Sequence, residues 1–188
     1  MGEETLASAS VQTDDASVVS RAVAGDMAAF AILIRRYTPV LRAYARRMMN
    51  ASDEVDDVVQ EGFVIAWRRL ADLDEPASVR SWLMRIVGRS AVARSRSRHP
   101  FVSADSVAVV SRADRSPAEV AETRGCLEAL GEVLRELPDR QRESWVLREI
   151  GGYSYVEIAR ELGVPLSTAR GLLSRARAQV MRRMHAWR

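Results

Sequence analysis

Apolar residues along the chain recur every three to four positions, which is the spacing of helices that bury one face. No stretch of useful length alternates apolar and polar residues at every second position, as a half-buried strand would. The pattern predicts helical runs beginning near residues 15, 26, 40, 53, 78, 117, 139 and 153. The fold class is therefore predicted to be all-α.

Turn and capping residues divide these runs. Gly25 and Asp26 predict a helix end followed by the N-cap of a new helix. Pro39 predicts a kink or a break, because proline has no N–H to donate to the preceding turn. Ser52 or Asp53 is predicted to cap the helix that runs to about residue 70.

The helix predicted from residue 53 combines a buried stripe with an exposed acidic side. Gly62 lies in its middle and costs about 1 kcal/mol of helix propensity relative to alanine. Such a glycine is either a tolerated defect or a point where another segment approaches closely. The predicted stripe consists of Val55, Val59, Phe63, Ala66 and Leu70.

A change of composition predicts two small helical domains. Residues 99–115 show no period and contain a proline, several serines and scattered charges, which is unusual inside one compact domain. Ser116-Pro117-Ala118-Glu119 then has the pattern of a capping box that starts the next helix. We expect a disordered tail over 1–14, a first domain over 15–98, a flexible linker over 99–115 and a second domain over 116–188.

The stretch from 153 to 183 has the pattern of a helix-turn-helix. Gly163 can adopt the positive φ of the turn, Val164 fills the angle between the helices, and Ser167 or Thr168 is predicted to cap the second helix. A buried helix pair with a solvated basic face would show the same pattern, so the motif alone leaves both interpretations open. The inward stripe would be Ala169, Leu173, Ala176, Val180 and Met184. The other faces carry Arg170, Gly171, Ser174, Arg175, Arg177 and Arg182, whose arginines can reach phosphates and base edges.

Charge is distributed unevenly, although the net charge is only +3. All 28 basic residues are arginines. No acid lies between Glu75 and Asp105 or after Glu161, whereas residues 53–61 form a compact acidic block. Because a polyanion responds to local charge density, the two basic segments are candidate nucleic-acid surfaces.

Several function classes are disfavoured by the composition. A lone cysteine, Cys126, cannot form an intramolecular disulfide, and His99 and His185 complete no metal site of usual spacing. Neither histidine lies in a catalytic constellation, and no glycine loop would cradle a phosphate. The sequence also shows neither a membrane span nor a signal peptide. We expect a cytoplasmic protein that is not inserted in a membrane, is not an enzyme and has no catalytic residues, metal or cofactor.

Three groups of residues together resemble the motifs of one protein family. They are Asp57-Val58-Val59-Gln60-Glu61-Gly62-Phe63 with Ala66-Trp67-Arg68, then Trp82-Leu83-Met84-Arg85-Ile86, and finally Leu137-Pro138 through Arg148, followed by Tyr155-Val156-Glu157-Ile158-Ala159 and Ser174-Arg175-Ala176-Arg177. In this order they resemble the extracytoplasmic-function sigma factors of bacterial RNA polymerase, over nearly all of the chain after residue 15. The resemblance implies two helical domains, region 2 and region 4, on a flexible linker. It also implies a subunit that directs core polymerase to promoters and assists promoter melting.

The resemblance implies which residues meet each partner. The polymerase-binding residues, docked on the clamp helices of the largest subunit, would be Asp57, Gln60, Glu61 and Phe63. The minus ten element of promoter DNA would be met by Arg80, Trp82, Arg85 and Arg89. The minus thirty-five element would be met by Ser167, Thr168, Arg170, Gly171, Ser174, Arg175 and Arg177. Further implied partners are the polymerase flap and an inhibitory anti-sigma factor.

The two DNA-reading helices depart from the family's usual residues. Arg89 stands where asparagine is common, and Arg170-Gly171-Leu172 stands where lysine, serine and arginine are common. Leu172 would then be available to touch a thymine methyl. The polymerase-facing helix stays close to the pattern, as a shared polymerase and a private set of promoters would require.

An alternative interpretation is an autonomous regulator with a helix-turn-helix that binds an operator. Such a protein would associate with itself through its amino-terminal helices and bind duplex DNA without polymerase. The acidic block at 53–61 would then have no clear role.

Overall fold

The computed structural model describes residues 14–50, 53–98 and 119–185, and every regular element in these ranges is helical. The predicted tail up to residue 13, the predicted linker over 99–115 and the start of the predicted capping box at 116–118 lie outside them. Short 3-10 turns at Leu70–Asp72 and Pro76–Ser78 connect the third and fourth helices. The prediction of an all-α fold is confirmed. The helices are α1 (Asp15–Val23), α2 (Met27–Met48), α3 (Val55–Arg69), α4 (Val79–Arg98), α5 (Glu119–Arg135), α6 (Asp139–Glu149), α7 (Tyr155–Leu162) and α8 (Leu166–His185).

Helices α1 to α4 form the amino-terminal half, in which α2, α3 and α4 pack against one another and α1 lies on α2. The predicted N-cap of α2 is confirmed, because the Asp26 carboxylate accepts hydrogen bonds from the N–H groups of Ala28 and Ala29. Gly25, directly before it, has a φ of 94°. The positive φ lets the chain reverse between α1 and α2 at little steric cost. Among the helices in the described ranges, none is long and apolar enough to cross a membrane.

Pro39 lies inside α2 and does not break it. The helix is continuous from Met27 to Met48, so the predicted break is wrong. Tyr37 before the proline and Leu41 and Tyr44 after it are 6%, 1% and 1% exposed. Because tertiary packing holds both ends of the helix in line, the lost backbone hydrogen bond is tolerated.

Helix α3 begins later than predicted. Its N-cap is Glu54, which makes no side-chain capping bond, so Asp53 is not the cap. Ser52 lies outside the described residues. Asp56 and Asp57 occupy the first turn, where a negative charge interacts favourably with the helix dipole.

Gly62 is a point of close approach between α3 and α4. A Cβ at this position would lie 2.6 Å from Cγ2 of Val87, which is fully buried on α4. The β-branched valine has few rotamers into which it can retreat. Of the two interpretations of this glycine, close approach is confirmed.

We expect Gly62→Ala to destabilise the protein by about 1 kcal/mol, because overpacking a core costs about 1–3 kcal/mol and the gain in helix propensity is about 1 kcal/mol. Urea unfolding followed by circular dichroism measures the change. Gly131→Ala on α5 is the matched control, since a Cβ there would meet nothing within 4 Å, and we expect it to stabilise the protein. A Gly62→Ala variant as stable as Gly131→Ala would contradict the close approach.

Helices α5 to α8 form the carboxy-terminal half and contain the predicted helix-turn-helix. Gly163 ends α7 with a φ of 62° and a ψ of 40°, and the N–H of Val164 closes the turn on the Ala159 carbonyl at 3.0 Å. Ile158 and Leu162 on α7 are 0% and 1% exposed. The predicted turn chemistry is confirmed.

The starts of α7 and α8 differ from expectation. A capping box starts α7, in which the Ser154 hydroxyl and the Glu157 carboxylate each satisfy a backbone N–H. The serine-to-glutamate spacing is visible in the sequence and could have predicted this start. Helix α8 already begins at Leu166, so Ser167 and Thr168 lie within its first turn and are not its cap.

The two halves pack together, with α2 and α4 against α6 and α7. Tyr44 on α2 and Tyr153 before α7 are each 1% exposed. Their hydroxyl oxygens meet at Gly88 of α4, where a Cβ would lie 2.8 Å and 3.0 Å from them. One cluster of buried apolar residues therefore runs through both halves.

Candidate functional site

Helix α3 presents an acidic, solvent-exposed face. Asp57, Gln60 and Glu61 are all exposed on it. Glu61 also lies 3.4 Å from the guanidinium of Arg94 on α4, so part of its charge is shared within the chain. Phe63, predicted for the same face, is only 7% exposed and packs edge-on against Phe30 with ring centroids 6.4 Å apart. Phe63 therefore belongs to the core beneath this face. Asp57 and Gln60 are the polar groups of the face that are most available to bind a partner.

An apolar groove of about 440 Å³ lies beside Gln60, between α2 and α3. Met27 and Val64 on its walls are 63% and 46% exposed, although both are large apolar side chains. Charged and polar residues from both helices, Arg42 and Asp56 among them, line its edge. Exposed apolar surface with a polar rim is typical of a protein-binding site.

The candidate DNA-binding residues of α4 have different surroundings from one another. Arg80 is exposed, and Trp82 is half-buried against the core. Arg85 and Arg89 face the carboxy-terminal half, where Nη1 of Arg85 lies 3.1 Å from Glu157 and Nε of Arg89 lies 3.0 Å from Glu161. Arg80 is thus exposed on the surface, whereas Arg85 and Arg89 already form ion pairs within the chain.

Helix α8 presents a polar outer face opposite its buried stripe. Ala169, Leu173 and Ala176 are at most 1% exposed. Gly171 is half-buried, and the Arg175 guanidinium lies over it, 3.3 Å from where a Cβ would be. The exposed residues among those predicted for this face are Ser167, Thr168, Arg170, Ser174 and Arg175.

Arg177 is the predicted α8 residue that the structure turns away from this face. Its guanidinium pairs with Glu149 of α6 at 2.7 Å and donates to the Tyr155 hydroxyl at 3.4 Å. The hydrogen bond to Glu149 raises the pKa of Arg177 above its ordinary value. The side chain is therefore fixed at the seam between α6, α7 and α8.

Two protein-family models match this sequence, one in each half of the structure. Sigma-70 region 2 matches residues 33–100, which include most of α2 and all of α3 and α4. Sigma-70, region 4 matches residues 127–180, which run from α5 into α8. The chain is also 34% identical over 173 residues to the ECF RNA polymerase sigma factor SigM of Mycobacterium tuberculosis H37Rv, covering 91% of this chain and 85% of SigM. The chain belongs to the extracytoplasmic-function sigma factors.

Solved structures agree with this assignment. The structure of CnrH in complex with the cytosolic domain of CnrY is similar with a TM-score of 0.55 and 29% identity, over 92% of this chain and 98% of that one. A sigma factor RpoE, solved with the anti-sigma factor NepR from Bartonella quintana, is similar in fold with a TM-score of 0.56 over 85% of this chain and 98% of that one, at 24% identity. As a sigma factor, the chain directs RNA polymerase to promoters and assists transcription initiation.

Tyr155 organises the arginines around the recognition helix of this sigma factor, and sequence reasoning did not single it out for that role. The guanidinium carbons of Arg148 and Arg170 lie 5.1 Å and 5.9 Å from its ring centroid, within the range of cation–π attraction. Its hydroxyl accepts the bond from Arg177. The three arginines lie on two other helices, Arg148 seven residues before Tyr155 on α6 and Arg170 and Arg177 four and eleven residues after the start of α8, so no local pattern signals this cluster.

Leu172 was expected to be available to a thymine methyl in the major groove. In the structure it is half-buried and packs against the apolar core. The side chain thus contributes to the packing of α8, and its contact with a thymine methyl stays a prediction.

A buried polar run in α6 was also missed. Arg142, Glu143 and Ser144 are 3%, 1% and 0% exposed. Arg142 donates to the carbonyls of Leu137 and Met48 at 3.0 Å and 3.3 Å, and Ser95 of α4 donates to Glu143 at 2.6 Å. Burial raises the pKa of Glu143, although the Ser95 hydroxyl opposes that shift.

Among the described residues, no group of acids, histidines and cysteines is arranged to hold a metal ion.

Proposed function

We propose that this sigma factor performs its function with three surfaces: α3 docks on core polymerase, α4 captures the minus ten element and α8 reads the minus thirty-five element. The observation that carries this assignment is that the exposed acids of α3 and the exposed arginines of α8 lie on separate helices, each facing outward. The sigma factor supplies binding energy and orientation in this scheme and carries out no covalent chemistry. It acts where polymerase and promoter DNA are, in the cytoplasm.

The α3 face supports docking on a protein partner by its composition. Asp57 and Gln60 offer hydrogen-bond acceptors, and the adjoining groove offers Met27 and Val64 as exposed apolar contacts. An interface of this kind combines an apolar centre with charge complementarity at its rim. The clamp helices of the largest polymerase subunit are the partner that we assign to it, with the flap as the contact of the carboxy-terminal half.

The outer face of α8 supports readout of duplex DNA. Arg170 is exposed near the amino-terminal end of α8, which is the end that enters the major groove in a helix-turn-helix, and Arg175 is exposed at the middle of the helix. Tyr155 restricts the guanidinium of Arg170 before DNA arrives, so less side-chain entropy is lost on binding.

Arg170→Ala is expected to weaken binding of the upstream element by about 1–3 kcal/mol if Arg170 reads a base. If it holds a phosphate, the dependence of log affinity on log salt concentration should instead become shallower by about one phosphate contact. Fluorescence anisotropy at several salt concentrations, on a duplex selected by the holoenzyme from a randomised pool, separates the two roles. Wild-type affinity at every salt concentration would exclude both roles. Arg35→Ala, at an exposed position of α2, is the charge-matched control.

An anti-sigma factor is the regulatory partner that we propose. RpoE was solved with the anti-sigma factor NepR, and this chain shares its two-domain fold. An inhibitor of this kind would cover the α3 face or the DNA-binding helices and so compete with polymerase or promoter.

Run-off transcription tests the proposed function as a whole. Core polymerase is mixed with the purified sigma factor and a library of genomic fragments, and transcripts are mapped to their start sites. We expect starts at a small set of related sequences that core enzyme alone does not use. Duplex binding without polymerase, together with no selective initiation, would favour the autonomous regulator instead.

A further inference from the structure

Gly171 lies on the outer side of α8, where the core does not require a glycine. At Gly62 a glycine is needed because Val87 of another helix lies where a Cβ would be. At Gly171 the three nearest atoms outside the helix backbone all belong to the guanidinium of Arg175, at 3.3, 3.9 and 3.9 Å from the Cβ position. Arg175 is exposed and has a long, flexible side chain that could move aside. Packing alone therefore does not explain why a poor helix former stands here.

The open space over Gly171 decides where the Arg175 guanidinium lies. In an α-helix a long side chain points back toward the amino-terminal end, onto the residue four positions earlier. Because the helix rises about 1.5 Å per residue, the guanidinium lies about 6 Å nearer that end than the Cα of Arg175. The amino-terminal residues of a recognition helix are those that contact base edges. The glycine thus brings the donors of an arginine from the middle of α8 among the residues of its first two turns.

The hydrogen-bond donors of Arg175 are not used within the described chain. Arg177 pairs with Glu149, and Arg170 lies over the Tyr155 ring at 5.9 Å. In the ranges that the structure describes, Arg175 by contrast forms no hydrogen bond, ion pair or ring contact. Its planar fork matches the adjacent O6 and N7 acceptors of guanine in the major groove, a pair of acceptors that no other base presents there. Arg175 therefore has a free fork at a position suited to a guanine.

We propose that Gly171 is a positioning residue for promoter specificity: because it has no side chain, Arg175 lies over it and reads one guanine of the minus thirty-five element. This inference rests on the proposed function of α8 in reading that element. A side chain at position 171 occupies the same space. Even the Cβ of an alanine would lie 3.3 Å from Nη1 of Arg175, closer than the usual contact distance of about 3.5–4.0 Å. Valine adds two methyl groups and displaces the guanidinium.

The test measures base preference with the complete holoenzyme. Core polymerase is reconstituted with the full chain as wild type, Gly171→Val or Arg175→Ala, and promoter duplexes randomised in the minus thirty-five element are bound, recovered and sequenced. With the wild type we expect guanine to be enriched about tenfold at the position that Arg175 reads. Both variants should lose this enrichment at the same position and keep the preferences at the others. Gly171→Ala should lie between the wild type and Gly171→Val.

Gly131→Val on α5 is the matched control, since a Cβ there would meet nothing within 4 Å. It makes the same change of side chain within a helix and should leave every base preference unchanged. Thermal unfolding followed by circular dichroism separates specificity from folding. Because valine is a better helix former than glycine, Gly171→Val should unfold at no lower temperature than the wild type. A loss of folded structure then cannot account for the loss of one base preference.

A double variant tests whether Gly171 acts through Arg175. If it does, Gly171→Val combined with Arg175→Ala binds the selected duplex as tightly as Arg175→Ala alone, because the effects of two residues that share one interaction are not additive. A further loss of affinity of about threefold or more in the double variant would show that the valine itself clashes with DNA, and the inference would be overturned.

Two other results would contradict the inference in distinguishable ways. Wild-type guanine enrichment by Gly171→Val, together with its loss in Arg175→Ala, would exclude Gly171 as a positioning residue and leave readout by α8 intact. No base enrichment at any upstream position by the wild-type holoenzyme would instead exclude the proposed function of α8, and the inference with it.

Discussion

Asp57→Arg combined with Gln60→Ala is expected to abolish stable association with core polymerase while leaving the fold intact. Both side chains are exposed on α3, so their replacement removes no buried contact. Reversing a charge that faces a basic partner both removes an attraction and adds a repulsion, for which we expect a loss of about 2–5 kcal/mol. Affinity for purified core enzyme, measured by anisotropy of a labelled sigma factor, gives the change directly.

Glu61 is kept in that variant because of its ion pair with Arg94. Replacing Glu61 would perturb the packing of α3 on α4 and confuse docking with stability. Asp74→Arg, at an exposed position in the loop between α3 and α4, is the charge-matched control, and it should bind core enzyme like the wild type. Undiminished binding by the double variant, with an unchanged circular dichroism spectrum, would contradict the assignment of α3.

Ile158→Ala is expected to lower the free energy of unfolding by about 2–5 kcal/mol, because it leaves a cavity in a fully packed site. Ile158 lies on α7, is 0% exposed and belongs to the cluster that joins the two halves. Such a loss is a large part of the total stability of about 5–15 kcal/mol of a typical domain. Urea unfolding gives the change, and binding of the upstream duplex should fall as the helix-turn-helix loosens.

Val156→Ala is the control for that variant within the same helix. Val156 lies two residues earlier and is 66% exposed, so its replacement should change stability by no more than about 0.5 kcal/mol. Equal effects of the two substitutions would show that α7 does not pack through Ile158.

The helices and several of their ends were predictable because their signals are local. Asp26 caps α2 through N–H groups two and three residues away, and Gly163 ends α7 by its own positive φ. The buried stripe of α8 follows from the helical period, and with it the outward position of Arg170 and Arg175. Interactions that span one helical turn can be found in the sequence alone.

Other features depended on partners far away in the chain. Pro39 remains inside one helix because packing on both sides of it holds the helix in line. The burial of Arg142 and Glu143 depends on acceptors and donors from the amino-terminal half, such as the Met48 carbonyl and Ser95. Neither result has a local pattern, since polar residues of α6 look solvent-exposed until the facing helices are known.

For this sigma factor, the amino-acid sequence alone determined the helical class, the two family regions and the residue types offered to polymerase and DNA. Tertiary structure decided which of those residues are free. From its position in α4 alone, Arg89 is predicted to bind DNA. In the structure its guanidinium donates to the Glu161 carboxylate, 72 residues further along the chain. The physical reason is that helix periodicity specifies which face is polar, whereas the group opposite that face is set by how the helices pack.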